Sequence, residues 1–458
     1  MLRFYFAFYV AKLSKFALKV LRRNATYFPG KIAIKLCPNF INYVVKPSNV
    51  IAVTGTNGKT TVCNLLIESF ESIGKKVLNN KMGSNINAGI ATSLIDGASI
   101  FNKAKFDVAV LEVDERSSLK VLPFIKPNYL ICTNLFRDSI GRNANPDFIF
   151  SVISKALPKE TKLILNADDL ISSNLGIENE KVYFAIDKLD TDLTESINII
   201  NDMQICPRCN SKLKYNYLKY HHIGNAYCES CDYKSPEANY KITKIDYENK
   251  KITVTCNNNS YEYKMLSDSI FNTYNQIAVI ATLFELGFEQ EKIKEIFDKK
   301  EITETRYKKE NIQGINIISH LAKGQNPIAC SCVFDYMKKE KANKEVILLI
   351  YDYFDAKKST ENMVWIYDCD FEFLNSDNID KIIIGGPRAI DFYIRLLIAG
   401  VPKEKLVYTD KTDDTANYLS LEEDKDIYIL YDVYTDHIAK SVENVIKTKI
   451  NEQKRGEA

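Results

Sequence analysis

"VTGTNGKTTVCNLL", Val53–Leu66, is the stretch whose reading decides the fold. An apolar run, "VIAV", feeds a glycine turn, and a lysine and two threonines follow at the start of a helix-like segment. Gly55 and Gly58 let backbone N–H groups approach phosphate oxygens with no Cβ in the way. A helix opening at Lys59 adds its positive end. Lys59 then supplies a mobile charge for the β- and γ-phosphates, and Thr60 a hydroxyl for Mg²⁺. Gly55, Thr56, Asn57, Gly58, Lys59, Thr60 and Thr61 are the candidate nucleotide-binding loop. The spacing Gly-x-x-Gly-Lys-Thr lacks the leading glycine of the longer phosphate-loop form, but strand, loop and helix stand in the right order. A magnesium-linked triphosphate also needs carboxylates. "VLEVDE" offers Glu112, Asp114 and Glu115 at the carboxyl end of a buried strand, where open α/β sheets take their ligands. Glu112, flanked by apolar residues, is expected in the site; Asp114 and Glu115 read equally well as site groups or as a solvated loop.

Outward from this loop, strands and helices alternate: "DVAVLEVD", "PNYLICTNL", "TKLILNADD" and "KVYFAID" read as strands, with helices between them. That order implies an α/β fold with a parallel sheet covered on both faces. The expected organisation is a lead-in at 1–48, an ATPase domain at 49–300 with an insertion at about 204–237, and a smaller α/β domain at 312–458. The polar stretch Lys299–Gln313 reads as a linker.

The chain has 458 residues, enough for two or three domains, and a net charge of +2, which gives no push toward nucleic acid. Its cysteine count, eleven, is odd, and four sit in two Cys-x-x-Cys pairs, which argues for a reducing compartment and a metal rather than a disulfide framework. Cys206, Cys209, Cys228 and Cys231 are spaced C-x₂-C-x₁₈-C-x₂-C, the pattern of a closed, tetrahedral structural zinc site. His221 and His222 read as ribbon surface or packing. Cys330 and Cys332 read as core residues, with only His320 near in sequence to serve as a base. Trp365, the lone tryptophan, reads as a buried edge anchor. The N-terminal "MLRFYFAFYVAKLSKFALKVLRR" is broken by Lys12, Lys15 and Lys19 and cannot span a bilayer. It reads as an amphipathic basic helix, either packed on the protein's own core or touching a membrane surface or a lipid-linked substrate.

Taken together, "TGTNGKTT", "LNNKMGSNINAGIATSL", "LEVDE", "TNLFRD", "LNADD" and "FNTYNQIA" resemble the Mur ligases and, more closely, the MurT subunits of lipid II-amidating enzymes. The resemblance runs from "LRFYFAF" to "YILYDVYTDHI" and includes "IIIGGPRAIDFYIRLLIAGVP". It implies a Mur ligase-type ATPase domain carrying a four-cysteine zinc ribbon, and a MurT-type C-terminal domain. It implies ATP, Mg²⁺ and Zn²⁺ as cofactors, with Asn272 and Asn275 by the adenine, Arg306 by the phosphate or ribose, and Lys323 and Asn326 reaching the γ-phosphate. It further implies a cytoplasmic enzyme, at or near the inner membrane face, that turns the D-glutamate carboxylate of lipid II into a carboxamide through an acyl phosphate. Ammonia would come from a GatD-like glutaminase partner. In the family, an aspartate before "WIWDxDFE" completes the partner's Cys–His pair; here the segment reads "YDYFDAKKSTENMVWIYD", and Asp355 is the counterpart in one register, Asp352 or Asn362 in others. Because Asn362 could not supply the charge, a Mur-like amino acid ligase working without a glutaminase is the alternative.

Overall fold

The computed structural model describes residues 1–81, 84–137, 145–300, 307–322, 326–351 and 363–456. Arg306, Lys323, Asp352, Asp355 and Asn362 lie outside the described residues. The chain forms two compact units, the first built from 1–137, 145–197 and 201–300 and the second containing the chain from 307 onward.

The first unit is organised around a nine-stranded sheet. Its strands are β1 Asn49–Thr54, β2 Val77–Asn79, β3 Val108–Glu112, β4 Tyr129–Cys132, β5 Lys162–Asn166, β6 Lys181–Ile186, β9 Tyr240–Asp246, β10 Lys251–Cys256 and β11 Asn259–Lys264, in the order β11-β10-β9-β6-β5-β4-β1-β3-β2. Seven strands run parallel to one another; only the β9-β10-β11 meander at one edge is antiparallel. Buried on both faces, the central strands are near-continuous apolar runs, as the sequence reads. Val50, Ala52, Ala109, Leu111, Leu130, Cys132, Leu163 and Leu165 point, at a period of two, into the layer that holds the three N-terminal helices and the helix Asn87–Gly97. The opposite face meets the helices Lys59–Glu71 and Ile270–Glu285, which pack on each other. The chain leaves β1 toward β2 on one side and reaches β4 on the other. The carboxyl end of β1 is therefore the topological switch point, where such sheets open a ligand crevice.

The N-terminal helix Leu2–Val20 buries Phe4, Ala7, Phe8 and Ala11 in this same core, with Phe4 and Phe8 against Phe40. Packing on its own protein thus accounts for one face of that helix. A separate hairpin, β7 Leu213–Tyr220 and β8 Ile223–Cys228, carries the cysteine insertion.

The second unit has a six-stranded sheet in the order β12-β13-β17-β14-β15-β16, with β12 Tyr307–Ile312, β13 Ile315–Leu321, β14 Asn343–Leu349, β15 Ile379–Gly385, β16 Leu406–Thr409 and β17 Lys425–Tyr431. All pairs are parallel except β12 with β13. Here the linker reading is corrected: 307–312 is an edge strand. Its sequence, "YKKENI", hides this because an edge strand needs no apolar face. Lys308 and Glu310 instead join Glu443 and Lys447 in an ion-pair network. Trp365 is buried against Phe392, in line with its reading as an anchor. Arg395 is also buried, donating to the carbonyls of Ile366 and Cys369 and to Glu372, and so serves the fold. Cys330 is sealed in this core, where burial pushes its thiol well above the ordinary value, which removes it as a nucleophile.

Candidate nucleotide site and metal centre

At the carboxyl end of β1 the loop Gly55–Gly58 turns into the helix Lys59–Glu71. Gly55 and Gly58 take φ of +128° and +90°, values that disfavour any side chain. Space is equally restrictive. A Cβ on Gly55 would lie 2.2 Å from Thr133 Oγ1, and one on Gly58 2.2 Å from Asn275 Oδ1. The segment leaving β4 clamps the loop from outside. Thr56 N donates to Asn134 O at 2.9 Å, Asn57 N to Asn134 Oδ1 at 3.0 Å, and Thr133 Oγ1 to Asn57 O at 2.6 Å. Phe136 N donates to Thr56 Oγ1 at 2.9 Å. This clamp, which the motif alone does not reveal, fixes the loop before any ligand arrives.

Lys59 Nζ reaches Glu115 Oε1 at 2.6 Å and also donates to the carbonyls of Gly55 and Thr56. Burial pulls this ammonium's pKa down, but the ion pair with Glu115, with help from Glu112 and Asp114, outweighs it and leaves Lys59 above the usual lysine value. Lys59 is therefore a fixed positive charge at the loop's mouth. The two undecided acids separate cleanly. Glu115 is buried as the partner of Lys59, whereas Asp114 caps the short helical turn Glu115–Lys120 through Arg116 N and Ser117 N.

Thr60 and Glu112, the pair expected to share Mg²⁺, come together: Thr60 Oγ1 donates to Glu112 Oε2 at 2.9 Å. Asn85 Nδ2 donates to Glu112 Oε1 at 3.1 Å, and Asn80 pairs with the Glu112 backbone in both directions at 2.9 Å. Thr60 is exposed and Glu112 half-buried, so a hydrated cation can reach both oxygens. Asn64, Asn80 and Asn85 line a cleft of about 250 Å³ beside this pair. Cys63 also lines it, but burial pushes its thiol well up, so it is inert. Asn64, Asn80 and Asn85 lie within the quoted stretches but nothing in their spacing marks them as site residues; only folding brings them to the end of β3. Asn275 packs on Gly58 and its amide donates to Asn272 Oδ1 at 3.3 Å, so both asparagines stand on the loop's flank. Thr61 lies in the first turn of the helix. Asn326 caps its own helix, Pro327–Lys339, by accepting from Ala329 N.

The four cysteine sulfurs lie within 4.8 Å of one another, with Cys206–Cys231 at 3.6 Å and Cys209–Cys228 at 3.4 Å. Tetrahedral Zn–S bonds of about 2.3 Å put sulfurs about 3.8 Å apart, so the donor set fits that ion. Hydrogen bonds from Ser211, with a further one from Cys228, pull the Cys209 thiol down to about 6. The two histidines prove to be packing, not ribbon surface. At the hairpin tip both are buried; His222 Nε2 meets Asp169 Oδ1 at 3.2 Å and its ring lies 4.5 Å from that of Phe136. Asp168, sealed at the end of β5, accepts from Tyr274 at 2.7 Å, Tyr217 at 3.1 Å and Ile186 N at 3.1 Å. Asp169 also accepts from Leu135 N at 2.7 Å. Through Leu135 and Phe136, the ribbon is tied to the segment that clamps the phosphate loop.

A family model described as the Mur ligase middle domain matches residues 53–228, and one described as MurT ligase C-terminal matches 323–436. The lipid II isoglutaminyl synthase (glutamine-hydrolyzing) subunit MurT of Staphylococcus aureus strain COL is 30% identical over 90% of this chain and 91% of its own. The subunit of the same name from Streptococcus pneumoniae is 29% identical over 91% of this chain and 92% of its own. Among solved structures, a pseudomurein peptide ligase type C from Methanothermus fervidus shares the fold, with a TM-score of 0.67 at 22% identity over 88% of this chain and 80% of that one.

Proposed function

The chain belongs to the MurT family of Mur-type ligases, and from that premise we propose that it is the synthase subunit of a glutamine-dependent lipid II amidating enzyme. One observation carries the reading. Lys59 and the Thr60–Glu112 pair, 2.9 Å apart, stand at the switch point of the sheet in a chain related to MurT subunits over nine-tenths of its length.

A carboxylate is a poor electrophile. Transfer of the γ-phosphoryl group of ATP to its oxygen gives an acyl phosphate and ADP. Ammonia then adds its lone pair to the acyl carbon, the C–O bond to phosphate breaks, and the nitrogen loses one proton to the departing phosphate or to solvent, leaving the carboxamide. Lys59 and the N–H groups of the Gly55–Gly58 loop stabilise charge that spreads over the transferring group. Thr60 and Glu112 would hold Mg²⁺, which would supply positive charge against the phosphates. Asn272 and Asn275 flank the loop on the side assigned to the adenine; Arg306 is assigned to the phosphate or ribose and Lys323 to the γ-phosphate. Cys206, Cys209, Cys228 and Cys231 hold Zn²⁺ as a structural ion. The lipid-linked acceptor places the reaction at the inner membrane face.

The nitrogen source in this reading is a GatD-like glutaminase bound to the C-terminal domain, with Asp355 orienting the partner's catalytic histidine and stabilising its charged form. Co-expression with the organism's glutaminase-like protein, followed by reaction with amide-¹⁵N glutamine, tests it. A stable pair that moves the label into lipid II supports the reading; no pair and no label removes the glutaminase from it.

A further inference from the structure

The N-terminal helix Leu2–Val20 has two apolar faces. Phe4, Ala7, Phe8 and Ala11 fill the core. Leu2, Phe6, Tyr9, Leu13, Phe16 and Val20 recur at intervals of four and three residues, which draws one line along a helix. All six are exposed, Leu2 by 91%, Leu13 by 68% and Phe16 by 66%. A helix of 19 residues makes this stripe roughly 28 Å long. Exposed apolar seams of that length mark interaction surfaces.

Charge identifies the occupant. Residues 1–50 hold nine Lys and Arg and no Asp or Glu, although the whole chain carries only +2, so the remainder is net negative. Lys19, Arg22 and Arg23 are exposed at the end of the stripe. Lys15 is engaged by Asp96, and Lys12 by the carbonyls of Ile95 and Ala98, which anchors the helix to the unit beneath. A second copy of so basic a face would be repelled. An anionic surface is attracted, and basic charge beside an apolar stripe is the pairing that holds a helix in a bilayer interface. No described helix is long and apolar enough to cross a membrane, so the contact lies in the membrane plane.

We propose that the stripe Leu2–Val20, with Lys19, Arg22 and Arg23, docks the protein on an anionic lipid bilayer. The docking stands on this geometry; its use in catalysis rests on the lipid-linked acceptor proposed above, which it would bring within reach of the cleft's own unit.

Sedimentation of the full chain with vesicles tests it. Phosphatidylglycerol-containing vesicles should bind it at least about tenfold more strongly than pure phosphatidylcholine, with loss at high salt. Leu13→Glu with Phe16→Glu, and separately Lys19→Gln with Arg22→Gln and Arg23→Gln, should each weaken binding by roughly tenfold or more. The second set changes only exposed groups and keeps the test open if the first misfolds. Absent binding, or binding that ignores lipid charge and both variants, overturns the proposal. So does a dimer in ultracentrifugation that Leu13→Glu with Phe16→Glu dissolves while vesicles stay unbound. Amidation of a lipid-free acceptor should be equal in all variants, and amidation of vesicle-embedded lipid II should fall only in the variants. Vesicle binding without any amidation would leave the docking standing and remove the function, and amidation without vesicle binding would do the reverse.

Discussion

Gly58→Ala separates the two constraints on the phosphate loop. At φ of +90° an alanine sits in the left-handed region, which costs about 1–2 kcal/mol. Its Cβ would also lie 2.2 Å from Asn275 Oδ1, far inside any real contact, and Asn275 is buried and tied to Asn272. Forcing that side chain aside adds about 1–3 kcal/mol, the usual scale of overpacking. The total, roughly 2–5 kcal/mol, corresponds to a fall in Tm on the order of 3–8 °C for a unit of this size. The second term has a direct signature. Without nucleotide, Asn275→Ala should remove the clash, so Gly58→Ala in that background should cost only the backbone term, about 1–2 kcal/mol. Chemical denaturation of the four proteins gives the cycle. Equal costs in both backgrounds would show that the contact with Asn275 does not shape the loop. Titration with an ATP analogue should show at least about tenfold weaker binding for Gly58→Ala, since the loop N–H groups can no longer converge. Unchanged affinity would refute the assignment of Gly55–Gly58 as the phosphate cradle.

Three further outcomes follow from the same geometry. Lys59→Ala should reduce acceptor-dependent ADP release by about a hundredfold or more, because its charge has no substitute at the loop's mouth, and should also lower stability by leaving Glu115 buried without its partner; ADP release at the parent rate would contradict its role. Stripping zinc with a chelator, or Cys209→Ser, should lower Tm and also weaken ATP-analogue binding several-fold, because the hairpin tip reaches the loop's clamp through His222, Asp169 and Leu135. A Tm loss with unaltered nucleotide affinity would show that the ribbon and the loop are uncoupled. Asp355→Asn should abolish glutamine-driven amidation while amidation with ammonium salts continues; loss of both would place Asp355 in the synthase chemistry instead.

Much of the candidate nucleotide site was legible because its residues are local in sequence. A strand, two glycines, a lysine and a threonine fit within one short segment, and their physical roles fix their order. Glu112 was legible for the same reason, as an acid ending an apolar strand. Its supports were not. Asn80, Asn85 and Asn134 are ordinary loop residues until β3 and β4 are set beside β1. Glu115 and Asp114 are adjacent acids that only the helical turn after β3 tells apart. Asp168 and Asp169 stood in the "LNADD" motif, yet their work is to seat the ribbon, a contact made with residues about fifty positions away. For the histidines at the hairpin tip the sequence left surface and packing open; the fold decides for packing, and for His222 the Asp169 carboxylate makes burial tolerable. In the second unit, β12 was hidden because an edge strand stabilised by ion pairs has no apolar period to read.

The most direct measurement is a reaction of the purified chain with lipid II, MgATP and ammonium chloride, followed by mass spectrometry of the lipid and by ADP release. The account predicts a lipid II carboxamide formed in step with ADP, and neither product from Lys59→Ala. ADP release that requires an added amino acid, with that amino acid joined to the acceptor and no carboxamide formed, would contradict it and identify a peptide ligase.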